Sequence, residues 1–341
     1  MGGFADSGNL GMQDKVLALS WIRDNIARFG GNPGSVTIIG QSSGGGAVST
    51  LMAMPSAAGL FHRAIVQSGT SVLQAIARDD AIATTATFMA RLGLEPDQIE
   101  KMQTYSTEEL QAAYHEGGNL RLGPVVDGDT LPTHPFDPAS PELSANVPLL
   151  IGSLSTETAG NAGVPLEPMD DAELLAQVEG ISEDNAEALI AAYTSARPGL
   201  TNTDLYLEMA SDNWIRWPMM AQAERKTTQR APVYMYHFTW RSPPEVAGGK
   251  FRTTHTLDIG FMFDNVERGQ SLNGVGPRQD QLAQRMSGAW AAFARTGDPN
   301  HKGLPAWPAY DTASRATMLF DDECAVVYDP AHAERALFPP L

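Results

Sequence analysis

Residues 35–46 read Ser-Val-Thr-Ile-Ile-Gly-Gln-Ser-Ser-Gly-Gly-Gly, and this stretch decides the fold. Its apolar, β-branched beginning, Val36–Ile39, is typical of a buried parallel strand. The strand ends at a glycine, and the Ala/Ser/Leu/Met-rich segment Ala47–Met54 predicts a helix shortly afterwards. Residues 40–44 between them fit Gly-x-Ser-x-Gly, in which the glycines are needed because the turn leaves no room for side chains. We therefore expect a nucleophile elbow that lifts the Ser42 hydroxyl clear of the sheet, beside the positive end of a helix.

The composition is that of a globular protein with a large core. The chain has 341 residues, of which 43% are hydrophobic and 18% charged. A net charge of −17 argues against nucleic acid and against anionic membrane surfaces as partners. A single cysteine, Cys324, excludes an internal disulfide and a cysteine-based metal cluster. No apolar run is long enough to span a membrane, and Met1–Phe4 lacks the features of a signal peptide.

The order of elements predicts one parallel α/β layer. A helix is expected over residues 12–29, with an apolar face made by Val16, Leu19, Trp21, Ile22, Ile26 and Phe29 and a stop at Gly30-Gly31. Further buried strands are expected in three segments, Phe61–Gly69, Pro148–Gly152 and Pro232–Trp240. A helix over Gln281–Arg295 and a hairpin of Ala316–Phe320 with Ala325–Tyr328 end the chain. Alternation of helices and strands favours right-handed parallel connections.

Two long blocks between the strands are helical in pattern. They cover about residues 72–120 and 160–230, and we interpret both as insertions into a single sheet and not as separate domains. The second block contains a Met/Trp cluster at Trp214–Met220. Because methionine and aromatic side chains commonly fill core gaps, core packing explains this cluster better than a cofactor site.

A serine nucleophile needs a base, and the base needs a carboxylate that sets its tautomer. Of the seven histidines, His255 is the best base by position, because it lies in the loop after the last long strand, where strand ends of a parallel sheet gather. His237 lies inside that strand. Glu157, five residues after Gly152, is the expected acid. Asp127 is the rival, although Asp-Gly is first of all turn chemistry.

These motifs resemble the type-B carboxylesterase and cholinesterase family of α/β-hydrolases almost from end to end. Segments 8–14, 29–45 and 293–300 are similar to the family's Gly-Asn-x-Gly-x-x-Asp, active-serine and Phe-Ala-x-x-Gly-Asp-Pro patterns. The chain has Gln41-Ser42-Ser43 where the family usually has Glu-Ser-Ala. It also has Thr256 where the family has glycine after the histidine, and Asp258 where the family has glutamate.

The resemblance implies the α/β-hydrolase fold and a carboxylic ester hydrolase that works through a Ser-His-Glu triad and an acyl-enzyme. It assigns Ser42 as nucleophile, His255 as base and Glu157 as acid, with the Ser43 N–H in the oxyanion hole and Ser68 as a buried hydroxyl near the triad. It implies a small ester as substrate and neither a metal nor an organic cofactor. Amide hydrolysis on the same triad stays an alternative.

The family's His-Gly-Gly-Gly oxyanion loop has no counterpart in this sequence. Gly2-Gly3 resembles the end of a later strand, so we expect residues 1–341 to be one catalytic domain without its N-terminal strands, with Val36–Ile39 as an exposed apolar edge. A weakly active or inactive fragment, or a binding module of the same fold, is therefore the second hypothesis. Localisation, oligomeric state and the natural ester stay open.

Overall fold

The computed structural model describes residues 8–338, so Gly2-Gly3 lies outside the described residues. Within them, the main sheet has six strands in the order β1-β2-β5-β6-β7-β8. Its strands are β1 Thr37–Gln41, β2 Arg63–Gln67, β5 Leu149–Leu154, β6 Val233–Phe238, β7 Thr317–Phe320 and β8 Ala325–Val327. A second, two-stranded parallel sheet joins β3 Ile76–Ala77 to β4 Val125–Val126.

All neighbours in the main sheet are parallel except β7 and β8, which form the predicted terminal hairpin. Every residue of β5 and β6 is buried, as expected for parallel strands covered on both faces. The mostly parallel sheet flanked by helices confirms the predicted α/β class. Because the strands run in the same direction, their carboxyl ends meet at one edge, which is where the functional side chains are expected.

The helices connect these strands. They are α1 Leu10–Asn25, α2 Ser43–Leu51, α3 Ser71–Gln74, α4 Arg78–Arg91, α5 Thr107–His115, α6 Asp171–Glu179, α7 Ala186–Ala196, α8 Asn202–Ser211, α9 Trp217–Lys226, α10 Ile259–Met262, α11 Gln270–Asn273, α12 Pro277–Thr296 and α13 His332–Arg335. One turn of π-helix, Asp212–Arg216, joins α8 to α9. Short 3₁₀ turns occupy 26–29, 55–57, 96–104, 142–144, 183–185, 247–249 and 266–269.

Two apolar clusters cover opposite faces of the main sheet because successive strand residues point to opposite sides. In β6, Val233 and Met235 join the cluster that also contains α2 and the helices of residues 171–226. Tyr234 and Tyr236 join the other cluster, which is built on α12. Both clusters share one sheet, so we propose that the chain forms one domain with helical insertions between β2 and β5 and between β5 and β6.

The structure corrects several details of the sequence analysis. The strand predicted at Val36–Ile39 runs over β1, and the helix predicted at Ala47–Met54 begins already at Ser43. The predicted apolar face of residues 12–29 is only partly a core face. Leu19 is buried in the core, and Val16 and Ile22 pack against it. Trp21 and Phe29 are instead 52% and 71% exposed and lie against each other. β1 lies at one end of the described sheet, with Ile38 buried and Ile39 exposed.

Residues 8–338 lack two kinds of site. No helix there has the length and apolarity to cross a bilayer. No group of three or more His, Cys, Asp or Glu side chains in that range could hold a metal ion.

Candidate active site

The turn from β1 into α2 forces Ser42 into a conformation that few residues adopt. Ser42 has φ 59° and ψ −125°, and its N–H donates to the Gln67 carbonyl at 2.8 Å. A side chain at Gly40 would collide with the Gly44 backbone, and one at Gly69 would collide with the Ser42 carbonyl. Glycine is therefore required at Gly40 and Gly69, because the elbow packs backbone directly against backbone there. A side chain at Gly44 would meet open space, so the predicted need for glycine on that side of the turn is wrong. The Ser42 side chain is half-buried beside the first turn of α2.

Glu157 and His255 form the second part of the site. Glu157 follows β5 and is fully buried. Its Oε1 accepts the Leu154 N–H at 2.8 Å, and its Oε2 lies 2.6 Å from His255 Nδ1. The bond to Leu154 fixes the carboxylate, which in turn fixes the orientation of the imidazole. Sequence reasoning predicted this pair, and the structure places its members within hydrogen-bond distance although they are 98 residues apart.

The electrostatics of the pair favour a charged imidazole. Burial by itself lowers the pKa of His255. The hydrogen bond to Glu157, the charge of Glu157 and the charge of Asp258 outweigh it, so the pKa of His255 is raised above its ordinary value. A carboxylate in this position stabilises the imidazolium that forms when the base takes up a proton.

Threonine side chains fix the loop that carries His255 to the acid-bearing loop after β5. The Thr253 N–H donates to Thr156 Oγ1 at 2.9 Å, and the Thr253 hydroxyl donates to the Trp240 carbonyl at 3.0 Å. The Thr254 hydroxyl donates to the Ala159 carbonyl. The bonds to Thr156 and Ala159 hold the loop of His255 against the loop of Glu157.

Nε2 of His255, the ring nitrogen that does not contact Glu157, faces Gln41. Gln41 Nε2 lies 3.2 Å from His255 Nε2. Both contacts of the ring are satisfied when Nδ1 carries the hydrogen and donates to Glu157, while Nε2 accepts from the Gln41 amide. Among the described residues, the Ser42 hydroxyl has no hydrogen bond to His255. The structure thus brings Ser42 to the same strand end as the base, with the neighbouring Gln41 holding the base's acceptor.

A second buried carboxylate, Asp258, lies behind the base. Asp258 Oδ2 accepts from Gln67 Nε2 at 3.0 Å and from the Tyr236 hydroxyl at 3.1 Å, and Gln67 Oε1 accepts from Trp290 Nε1 at 3.3 Å. Burial, with a contribution from the charge of Glu157, raises the pKa of Asp258 to about 6. Sequence reasoning noted Asp258 only as a departure from a motif, and the 191 residues between it and Gln67 hid the network.

Trp214 forms one wall of the site next to the base. Its ring centroid lies 5.7 Å from that of His255, and the Trp214 side chain is 40% exposed. It lies in the π-helical turn 212–216, where its neighbour Ile215 is buried. Core packing therefore describes Trp217, Met219 and Met220, which are buried, but not Trp214. The only sequence signal for Trp214 is that it is aromatic. The neighbouring sequence does not show that its ring faces His255.

The other predicted positions are Ser68, Asp127 and Ser43. Ser68 is buried after β2 with φ 45°, and its Oγ has no hydrogen-bond partner among residues 8–338. The Asp127 carboxylate accepts from Leu131 N–H at 2.9 Å, which is turn geometry, and from Asn9 Nδ2 at 3.1 Å. Ser43 is exposed as the first residue of α2, and it borders a cavity of about 570 Å³ that Gly44, Ala47 and Leu122 also line.

Comparison with known proteins gives one family. Residues 2–336 match the Carboxylesterase family. The chain is similar to para-nitrobenzyl esterase of Bacillus subtilis, with 32% identity over 98% of this chain and 68% of that protein. It is also similar to liver carboxylesterase of Sus scrofa, with 31% identity over 98% of this chain and 66% of that protein. The chain thus spans about two thirds of the length of these relatives.

The solved structures to which the chain is similar are also esterases. Carboxylesterase EST55 of Geobacillus stearothermophilus superimposes with a TM-score of 0.83 at 33% identity, over 99% of this chain and 71% of that one. A structure described as a PNB esterase superimposes with a TM-score of 0.81 at 29% identity, over 98% of this chain and 68% of that one. These likenesses confirm the predicted α/β-hydrolase fold.

Proposed function

Because the chain belongs to the carboxylesterase family of carboxylic ester hydrolases, we propose that it hydrolyses esters through a triad of Ser42, His255 and Glu157. The observation that carries this proposal is the 2.6 Å contact between Glu157 Oε2 and His255 Nδ1 at the sheet edge where the Ser42 elbow ends. Such a pair has the tautomer and charge that a general base for serine needs.

In the acylation step, Ser42 Oγ attacks the ester carbonyl carbon and its proton passes to His255 Nε2. The carbon–oxygen bond to the alcohol then breaks, and the imidazolium returns that proton to the leaving oxygen. Gln41 must release Nε2 for this transfer, since its amide occupies the same lone pair. Water repeats the sequence on the acyl-enzyme and frees the carboxylic acid, with Ser42 regaining its proton.

Glu157 supports both steps without accepting the proton. It is fully buried and bonded to the Leu154 N–H, so its charge sits at a fixed distance from the imidazole. Because the charged form of His255 develops in each transition state, a fixed carboxylate lowers both barriers.

The tetrahedral intermediate needs N–H donors, and Ser43 at the start of α2 would supply one. The positive end of that helix adds to the same effect. Removing one oxyanion donor typically costs about 10²–10³ in turnover. A chain that acts with the Ser43 donor alone is therefore expected to be slow, and the cavity beside Ser43 is where we place the acyl group.

Labelling with a fluorophosphonate probe tests the proposal. The folded chain should label on Ser42, and Ser42→Ala should not label. Ser43→Ala is the matched control, because it removes a neighbouring hydroxyl but keeps the backbone N–H, so it should label as the unmodified chain does. No label on a folded chain would refute the enzyme hypothesis and favour a binding module. Turnover of p-nitrophenyl butyrate but not of its anilide would separate ester from amide hydrolysis.

A further inference from the structure

Helix α8, in the insertion between β5 and β6, bonds to both loops that carry the proposed base and acid. At its carboxyl end, Ser211 Oγ accepts the Thr158 N–H at 3.1 Å, and Thr158 directly follows Glu157. At its amino end, the Asp204 carboxylate binds the loop that precedes His255. The proposed mechanism uses neither contact, and together they join the two loops through one helix.

Two arginines of the loop before the base meet on the Asp204 carboxylate. Its Oδ1 accepts from Arg241 Nη2 at 3.0 Å and pairs with Arg252 Nε, and its Oδ2 accepts from the Thr201 hydroxyl at 3.0 Å. Burial by itself raises the pKa of Asp204, but the bonds and charges of Arg252 and Arg241 outweigh it and lower that pKa. Asp204 is 7% exposed and the Arg252 side chain 12%. Because the pair is shielded from water, removing one partner leaves a buried charge uncompensated.

The backbone is left-handed on both sides of the base. Arg252 has φ 50° and Thr256 has φ 75°. Such conformations persist only where the surrounding structure holds them in place. The Arg252 carbonyl accepts the Ser242 N–H at 2.7 Å within the same loop, and the Arg252 side chain ties that loop to Asp204 on α8. The position of the base therefore depends on contacts outside its own loop.

We propose that Asp204 is a positioning residue that acts on His255 through Arg252. By fixing the loop, it keeps Nδ1 of the imidazole within hydrogen-bond distance of Glu157. The inference rests on the proposed function where turnover is concerned, whereas the position of the base can be measured without turnover.

The pKa of His255 reports this position. Burial lowers that pKa, and two carboxylates that face the ring raise it, those of Glu157 after β5 and of Asp258 in the ring's own loop. Gln41 of β1 and Trp214 of the π-helical turn also contact the ring, and both are neutral. If the loop moves away from Glu157, the ring loses its hydrogen-bonded carboxylate, so its pKa falls.

Asp204→Asn and Arg252→Met break the ion pair from opposite sides. A direct charge effect would lower the pKa of His255 in Asp204→Asn and raise it in Arg252→Met, whereas a displaced base lowers it in both. NMR titration of isotope-labelled histidines measures this pKa, with His255→Gln assigning the signal and circular dichroism checking the fold. Glu167→Gln is the matched control, because it breaks an exposed ion pair on the same loop.

We expect the pKa of His255 to fall by at least about 0.5 in both folded variants and to stay unchanged in Glu167→Gln. The kcat for p-nitrophenyl butyrate should fall roughly three- to thirtyfold in both, because a displaced base slows the chemistry. KM should stay nearly constant, because neither Asp204 nor Arg252 lines the cavity beside Ser43.

An unchanged pKa of His255 in either folded variant, or shifts in opposite directions, would overturn the proposal. So would an unchanged kcat in both variants of an active chain. If Asp204→Asn does not fold, Arg252→Met decides alone, because its direct charge effect has the opposite sign. An unmodified chain with neither turnover nor fluorophosphonate label would refute the proposed function instead, and the NMR titration would still decide whether Asp204 positions the base.

Discussion

Gln41 Nε2 lies 3.2 Å from His255 Nε2, the nitrogen that must take the Ser42 proton in the proposed mechanism. The amide is neutral, so it satisfies the base without adding charge. The strand places it there: Gln41 is the last residue of β1, in register with Gln67 of β2, immediately before the elbow. The residue beside the nucleophile therefore sets the resting state of the base.

Gln41→Glu is expected to shift the pH profile. A carboxylate at this distance stabilises the imidazolium and raises the pKa of His255 further. Since catalysis needs neutral His255, the acidic limb of kcat/KM for p-nitrophenyl butyrate should move to higher pH, with activity at pH 8.5 changed less than at pH 6. Gln41→Ala is the control: it removes the amide that donates to neutral Nε2 but adds no charge, so it should move the limb upward by less than Gln41→Glu does. An unmoved limb in Gln41→Glu would show that this contact does not act on the base.

Glu157→Gln should move the same limb in the opposite direction. Glu157 raises the pKa of His255, so its neutral replacement lowers that pKa and shifts the acidic limb to lower pH. Turnover should also fall by roughly 10⁴, the scale found when a triad acid is neutralised in serine proteases. Glu167→Gln is the matched control, because Glu167 is an exposed partner of Lys250. If the acidic limb does not move, Glu157 does not control the pKa of His255.

The sequence predicted the elbow, the acid and the base because each follows a strong local signal: a strand, a tight turn or a loop after a strand. It did not predict the Asp258 network, because Gln67 and Tyr236 come from separate strands and only the sheet brings them together. Trp214 was hidden for a different reason. The core interpretation of the Met/Trp cluster rested on its residue types, which do not show which member is exposed. Trp214 lies in a π-helical turn, which shifts the helical register.

Strands of two residues also could not be predicted from the sequence. Ile76–Ala77 and Val125–Val126 pair across 49 residues, and neither is long enough to show a period. The exposure of Trp21 and Phe29 is likewise invisible in a periodic apolar pattern, because the pattern identifies a face but not what covers it.

Trp214→Ala should change specificity on the alcohol side of the ester. In the proposed mechanism His255 protonates the leaving alcohol, so an exposed ring beside His255 would lie next to that group. We expect kcat/KM for phenyl butyrate to fall roughly three- to tenfold, the range for an aromatic pair, while ethyl butyrate changes little. Trp214→Phe should retain most of the preference, and Trp21→Ala, another exposed tryptophan, should leave both substrates unaffected. Equal losses on both esters would assign Trp214 a general structural role.

Thr256→Gly should stabilise the chain. Thr256 follows the base with φ 75°, a left-handed conformation that is costly for a β-branched residue. Glycine relieves this strain of about 1–2 kcal/mol but loses some entropy on folding, so a net gain of about 1 kcal/mol is expected in urea unfolding. Thr256→Ala is the control, since it keeps a Cβ in the same conformation and should gain less. A loss of stability in Thr256→Gly would show that the threonine side chain contributes more than its backbone costs.

Asp258→Asn should change how stability depends on pH. Burial raises the pKa of Asp258 to about 6, above the ordinary value of 3.8, so the protonated form is favoured in the folded chain. The stabilisation that protonated Asp258 gives the folded chain is complete below pH 3.8, and it is lost as the pH rises through about 6.

An asparagine cannot ionise and escapes this loss. Relative to the unmodified chain, Asp258→Asn should therefore gain stability between pH 4 and pH 7, by up to about 3 kcal/mol, since each unit of pKa shift is worth about 1.4 kcal/mol. The asparagine oxygen can still accept from Gln67 and Tyr236, so the network keeps its two bonds. Urea midpoints at pH 4, 5.5 and 7 measure the difference, with exposed Asp14→Asn as the matched substitution. A constant difference across this range would mean that Asp258 ionises as readily in the folded chain as in the unfolded one.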